Sequence, residues 1–110
     1  MEDRARRVGL NEALFRTVND EVHGLNERFP SVGDPMSVVC ECGSADCNER
    51  LELRAAAYEQ IRSDPTHFAV KPGHEAPDVE DVVERHDGYV VVQKQPGEPA
   101  QLARGTDTRD

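Results

Sequence analysis

The chain has 110 residues, of which 22 are acidic and 13 are basic, and its formal charge at neutral pH is −9. This length fits a single domain, and the negative charge disfavours a protein that binds nucleic-acid phosphates through a broad surface. Apolar residues make up 36% of the chain and aromatic residues 5%, and a small domain with so thin a core often needs a structural metal. No stretch reaches the ~18 apolar residues of a membrane span and no secretory signal is visible, so we expect a cytoplasmic protein.

The first segment, residues 1–9, is basic, and we predict that it is a flexible arm outside the folded domain. Its basic side chains are Arg4, Arg6 and Arg7. Residues 10–29 are predicted to form the longest helix, because apolar residues recur there at steps of three and four. These residues are Leu10, Leu14, Val18, Val22, Leu25 and Phe29. We expect this stripe to face the core and Glu12 and Arg16 to face solvent, and we expect Pro30 to end the helix.

Two strands and a turn are predicted to form a hairpin after this helix. Residues 36–40 are rich in β-branched side chains, and residues 49–53 alternate polar and apolar residues. The turn between them holds all three cysteines, in the spacing C-x-C-x4-C. Cys40 and Cys42 are two apart on a strand and so share a face, and a turn at Gly43 can bring Cys47 back to the same point.

This cysteine spacing predicts a zinc site. Thiolates suit soft or borderline ions, and a closed structural zinc site has four ligands, so one ligand must come from elsewhere in the chain. We predict that His74 is the fourth ligand, because the Pro-Gly loop 71–77 can hold it rigidly and Glu75 can support the site by hydrogen bonding. His67 is the second candidate and Asp46 the third. Two alternatives for the cysteines stay open: buried structural thiols, or a disulfide that leaves one reactive thiol.

Downstream of the hairpin, residues 54–63 are predicted to form a short helix and residues 67–70 a short strand. A second short helix is predicted over residues 79–86, because apolar positions follow helical spacing and Asp78 is a suitable N-cap. The positions concerned are Val79, Val82, Val83 and His86. After a turn at Asp87-Gly88, residues 89–94 are predicted to form a strand.

The domain therefore spans residues 10–95, and residues 96–110 are predicted to be a disordered tail. The expected fold is α+β, in the order α-β-β-α-β-α-β, with helices on one side of one small sheet that could contain mixed parallel and antiparallel strands. Zinc would stabilise this fold by joining the cysteine hairpin to the loop that carries His74.

Several motifs together resemble a group of small, largely uncharacterised actinobacterial proteins. The resemblance covers roughly residues 5–94 and rests on Leu10-Asn-Glu-Ala-Leu-Phe-Arg16, Val39-Cys-Glu-Cys-Gly43 with Cys47, and Pro72-Gly-His-Glu75. It implies a metal-binding protein of the bacterial cytoplasm, and it implies no catalytic mechanism.

The sequence favours a small acidic zinc-binding module that docks on a protein partner and regulates a larger bacterial complex. Three thiolates make a bound zinc a weak Lewis acid, and the H-E-x-x-H and zinc-deaminase patterns are absent, so we expect no enzymatic activity. The alternatives are a redox sensor that releases zinc when its thiols are oxidised, a nucleic-acid binder that uses the basic arm, and a small zinc hydrolase. The oligomeric state and the partner are left open by the sequence.

Overall fold

The computed structural model describes residues 2–29 and 35–109, in which three helices accompany two small antiparallel sheets. The elements are α1 (Asp3–Arg28), β1 (Met36–Val39), β2 (Arg50–Leu53), α2 (Ala55–Arg62), β3 (His67–Val70), β4 (Glu80–His86), β5 (Tyr89–Lys94) and α3 (Glu98–Gly105). The predicted α+β class is confirmed. Within the described residues, none of these helices combines the length and apolar character needed to cross a membrane.

The sheets differ from the single sheet that we expected. The two strands of the cysteine hairpin, β1 and β2, form one sheet by themselves, with Val38 opposite Leu51. Strands β3, β5 and β4 form the other in that order, with β5 in the centre. Both sheets are entirely antiparallel, so the mixture of parallel and antiparallel strands that we considered for the predicted sheet is not found among the described strands.

Strand β5 forms the centre of the core because both of its faces are covered. Tyr89 and Val91 pack with α2 and the β1–β2 hairpin. Val90 and Val92 point to the opposite face, where they pack with the cysteines and with Ala103 of α3. Helices therefore contribute to both faces of β5, and successive side chains alternate between them as a strand requires.

The prediction of a helix over residues 79–86 is wrong, because this segment forms β4. A two-residue Asp87-Gly88 turn joins β4 to β5, with His86 paired with Tyr89 and with Gly88 at φ 87°. An Asp-Gly pair between strands is a strong hairpin signal, because it tolerates the positive φ that such a turn needs. β-Branched valines also favour strand over helix, so the helical spacing of the valines is coincidental.

Both terminal segments are more ordered than predicted. Helix α1 begins at Asp3, so residues 3–9 belong to the first helix rather than to a flexible arm, while Met1 lies outside the described residues. The predicted disordered tail contains α3, whose Ala100 and Ala103 are buried. These two small residues allow close packing but give little hydrophobic signal in the sequence.

Helix α1 faces the core with the side opposite to the one predicted. The predicted core positions Leu10, Leu14 and Val18 are 43%, 60% and 41% exposed. The buried face is instead half polar and half small or apolar, and its residues are Ala5, Val8, Gly9, Glu12, Ala13, Arg16, Asn19 and His23. Buried polar groups are tolerated where hydrogen bonds replace water. Each of the four buried polar side chains of α1 has at least one partner, while the second carboxylate oxygen of Glu12 has none among the described residues.

The partners of Arg16 connect α1 to the C-terminal helix. Its guanidinium donates hydrogen bonds to the carbonyl oxygens of Pro65, at 2.5 Å, and Ala103, at 2.9 Å. It also lies over the ring of Phe68, 4.6 Å from the centroid. Burial lowers the pKa of Arg16, and the two carbonyls and the aromatic face offset the loss of water around its charge.

A second buried charge cluster lies beside α1. The ammonium of Lys94 is 2.6 Å from Glu12 Oε1 and 3.0 Å from Glu80 Oε1, and all three side chains are almost completely buried. Burial, together with the neighbouring Glu80, raises the pKa of Glu12 well above its ordinary value. This triad joins α1, β4 and β5, because each residue comes from a different element.

We expect truncation after Gln95 to destabilise the protein. The deletion would remove α3, and it would take partners from two buried arginines: the Ala103 carbonyl from Arg16 and the Asp107 carboxylate from Arg62. The melting temperature should fall by more than about 5 °C, equivalent to about 1 kcal/mol or more for a domain of this size. Thermal denaturation followed by circular dichroism measures this.

A truncation after Asp107 is the matched control. It keeps both arginine partners and removes Arg109, whose guanidinium pairs with the exposed Glu59 and lies 3.7 Å from Asp20 and 6.0 Å from the ring centroid of Tyr58. Exposed ion pairs contribute little to stability, so this deletion should cost much less. If both truncated proteins melt like the full chain, the packing of α3 contributes nothing to stability.

Candidate metal centre

Four side chains from two distant segments meet at one end of the cysteine hairpin. Cys40 directly follows β1, Cys42 and Cys47 lie in the connection to β2, and His74 comes from the loop between β3 and β4. The four sulfur and nitrogen atoms all lie within 4.8 Å of one another. The three cysteines are free thiols. The structure therefore forms a Cys3His cluster that could hold a metal ion.

Two separations within the cluster are close to those between ligands of one tetrahedral metal ion. His74 Nδ1 lies 3.7 Å from the sulfur of Cys40 and 3.6 Å from the sulfur of Cys47. Zinc bonds of ~2.3 Å to sulfur and ~2.0 Å to nitrogen, at a tetrahedral angle, place those two ligand atoms ~3.5 Å apart. The positions of Cys40 and Cys47 relative to His74 would thus need to change only slightly for each pair to bind one ion.

A tight turn positions His74. In the sequence Lys71-Pro72-Gly73-His74, the amide of His74 donates a hydrogen bond to the carbonyl of Lys71 at 2.9 Å. Pro72 occupies the second turn position, where its fixed φ is suitable, and Gly73 occupies the third with φ 90°. This is the arrangement of a type II turn, in which the third residue must adopt a positive φ. The local sequence thus fixes the backbone position from which the His74 side chain extends.

The same loop is held at its other end by the buried charge cluster. Glu80 accepts a hydrogen bond from the amide of Ala76 at 2.9 Å through one carboxylate oxygen, and its other oxygen pairs with Lys94. The loop that carries His74 is therefore anchored in the core as well as by its own turn.

The cysteine turn packs closely against the start of α1. A Cβ atom on Gly43 would lie 2.4 Å from a methyl carbon of Val8, and Asn11 donates a hydrogen bond to the carbonyl of Gly43 at 2.9 Å. We expected Gly43 to be needed for a turn. The structure gives a different reason, because Gly43 has no positive φ and instead leaves room for the helix.

Backbone amides and burial both act on the thiols. The amide of Lys71 donates to the sulfur of Cys40 at 3.1 Å. Burial raises the pKa of the Cys40 and Cys42 thiols, and the nearby thiol group of Cys47, when charged, raises both further. A metal cation would reverse this effect by binding the thiolates directly.

Asn19 and Glu41 hold the cysteine segment against α1, and the sequence analysis missed both. Asn19 donates to the Val39 carbonyl at 2.8 Å and accepts from the Val39 amide at 2.8 Å, so it pairs with β1 as another strand would. It also donates to Glu41, whose second oxygen accepts from the amide of Ala69 at 3.0 Å. Burial raises the pKa of Glu41 to about 7. The position of Glu41 between two cysteines was the only feature of the sequence that indicated this contact with α1.

The other candidate ligands lie elsewhere. His67 pairs with Asp64 at 3.4 Å, and Asp46 is exposed and outside the cluster. His86, on the surface of β4, stacks on Tyr89 and lies 2.8 Å from the carboxylate of Glu84. His23 is buried between the carboxylates of Glu27 and Glu59. That group could also hold an ion, although two of its three members are exposed.

A cleft of about 520 Å³ opens beside the cluster. Cys42 and His74 form part of its wall, and Arg7 and Ser44 form another part. Solvent therefore reaches one side of the cluster, while Cys40 on the other side is buried.

Comparisons with family models, with curated proteins and with solved structures give no match for this chain. Its function must therefore be inferred from the site itself.

We expect Asn19→Ala to lower the free energy of unfolding by more than about 2 kcal/mol, because it leaves the Val39 amide and carbonyl and one Glu41 oxygen without their partner. Chemical denaturation at constant metal load measures this. Thr17→Ala, two residues away on the same helix, removes only a bond to the carbonyl of Ala13 and should change stability by less than about 0.5 kcal/mol. Equal effects of the two substitutions would contradict the proposed anchoring role of Asn19.

Proposed function

We propose that this protein is a zinc-binding interaction module, without enzymatic activity, that docks on a protein partner. The observation that carries the zinc assignment is the geometry of the cluster: the 3.6 Å and 3.7 Å separations between His74 and two cysteine sulfurs are those of ligands around one tetrahedral ion. Thiolate-rich sites with one histidine favour zinc among the common cellular metals.

The ligand set argues for a structural ion rather than a catalytic one. Three thiolates and one imidazole fill all four positions of tetrahedral zinc, and catalytic sites keep one position for water or substrate. The thiolates also reduce the Lewis acidity of the ion. The ion would join the cysteine hairpin to the loop of His74, two segments that are about 30 residues apart in the chain.

The docking role is supported by the exposed side of α1. Its apolar residues project away from the core, with Leu14 60% and Leu25 49% exposed. Large exposed apolar patches are costly in water and commonly mark interaction surfaces. The charge of −9 makes direct binding to nucleic acid unfavourable at long range.

Free thiols agree with a reducing compartment. We therefore propose a cytoplasmic protein, and we extend the sequence hypothesis of a regulatory role in a larger bacterial complex to this docking surface. The partner itself is addressed below.

The purified protein should bind one zinc ion per chain, and the substitutions Cys40→Ser, Cys42→Ser and Cys47→Ser should each weaken zinc binding strongly and destabilise the fold. Zinc binding requires an organised site, so its free energy is largely free energy of folding. His74→Ala should weaken binding less, because water can take the vacant position. Elemental analysis and competition with a chelator at fixed pH measure these effects.

His67→Ala is the matched control, because His67 lies on β3, where it pairs with Gln93 of β5, and is outside the cluster. This variant should bind zinc like the parent. Loss of zinc from His67→Ala with retention in His74→Ala would overturn the ligand assignment. Reduced protein that takes up no zinc at all would overturn the proposed function.

A further inference from the structure

The exposed face of α1 has an order of charges that suits one particular occupant. Arg7, Leu14 and Glu21 are spaced by seven residues, so they lie in one row along the helix. All three are exposed. Leu10 and Val18, four residues before and after Leu14, widen the apolar centre of this row. Between Arg7 and Glu21 the face is thus basic, then apolar, then acidic, and the exposed Leu25 continues the apolar surface beyond Glu21.

Neither end of this row is neutralised within the chain. Among residues 2–29 and 35–109, Arg7 and Glu21 have no ion-pair partner, in contrast to Arg4, which pairs with Asp78. The opposite, buried face of α1 is held in place by hydrogen bonds of Arg16 and Asn19. Helix α1 therefore cannot rotate to bury Leu14 without breaking those bonds.

We propose that this face binds a second copy of the chain, with the two α1 helices antiparallel and Leu14 at the two-fold axis. A two-fold interface requires a surface that is complementary to itself. Antiparallel pairing centred on Leu14 places Arg7 against Glu21 of the second copy, twice, and Leu10 against Val18 of the second copy, twice. A parallel pairing would place Arg7 against Arg7.

The dimensions suit such a pairing. Helix α1 has 26 residues and is therefore about 39 Å long, so pairing about Leu14 overlaps the two helices over most of their length. Knobs from Leu10, Leu14 and Val18 would fill the space between axes that lie about 8–10 Å apart. This inference rests on the proposed interaction role and names its partner; it does not depend on the identity of the metal.

A charge exchange tests both the dimer and its orientation. Sedimentation equilibrium of the full chain should show a concentration-dependent dimer. Arg7→Glu and Glu21→Arg alone should each weaken dimerisation by about tenfold, because each creates two like-charge contacts. The double variant Arg7→Glu/Glu21→Arg should return to within about threefold of the parent, since the two pairs are restored with reversed sign.

Two further variants complete the experiment. Leu14→Asp should abolish the dimer while leaving the monomer folded, because Leu14 contributes little to the core, and circular dichroism verifies the fold. Arg85→Glu reverses an exposed charge on β4 and should leave dimerisation unchanged. A parent protein that stays monomeric at about 100 µM, or a double variant no better than the two single variants, would overturn the proposal. Zinc content measured on the same samples reports separately on the metal site, so failure of one proposal is distinguished from failure of the other.

Discussion

The side-chain amide of Asn19 is the contact on which the arrangement of this protein depends. It donates one hydrogen bond to the backbone of Val39 and accepts another from it, as a neighbouring strand would do with β1. It also donates a third hydrogen bond to the carboxylate of the buried Glu41. Those bonds fix the rotation of α1 about its own axis. Three consequences follow: the cysteine segment is held in place, the polar side of the helix is buried, and its apolar side is left in solvent.

Three separate local contacts position the side chains of the Cys3His cluster. A type II turn sets His74, a close approach of Gly43 to Val8 sets the cysteine turn, and the Lys94–Glu80 pair anchors the end of the histidine loop. Each of these contacts forms through hydrogen bonds or packing within the chain. The cluster is thus organised by the fold, and a bound zinc would reinforce that organisation by joining segments that the two sheets leave separate.

Local patterns predicted much of this structure. The strand propensity of residues 36–40, the alternation at 49–53 and the valine run of β5 identified three strands within one residue of their bounds. The cysteine spacing and the Pro-Gly loop identified the four residues that the structure brings together, while metal binding itself stays a prediction. The orientation of α1 could not be predicted in this way, because periodicity locates an apolar stripe but cannot tell that Arg16 and Asn19 find buried partners far along the chain. Helix α3 was missed because Ala100 and Ala103 are small residues that give little hydrophobic signal. Strand β4 was missed because three valines and one histidine fitted a helical spacing by chance.

We propose that three cysteines and one histidine bind zinc together. X-ray absorption spectroscopy at the zinc edge, on the zinc-loaded protein under reducing conditions, tests it most directly because it reports the atoms bonded to the metal. We expect a first coordination shell of three sulfur atoms at about 2.3 Å and one nitrogen at about 2.0 Å, with the nitrogen contribution altered in His74→Ala. A shell dominated by oxygen and nitrogen, or one of two sulfurs or fewer, would contradict it.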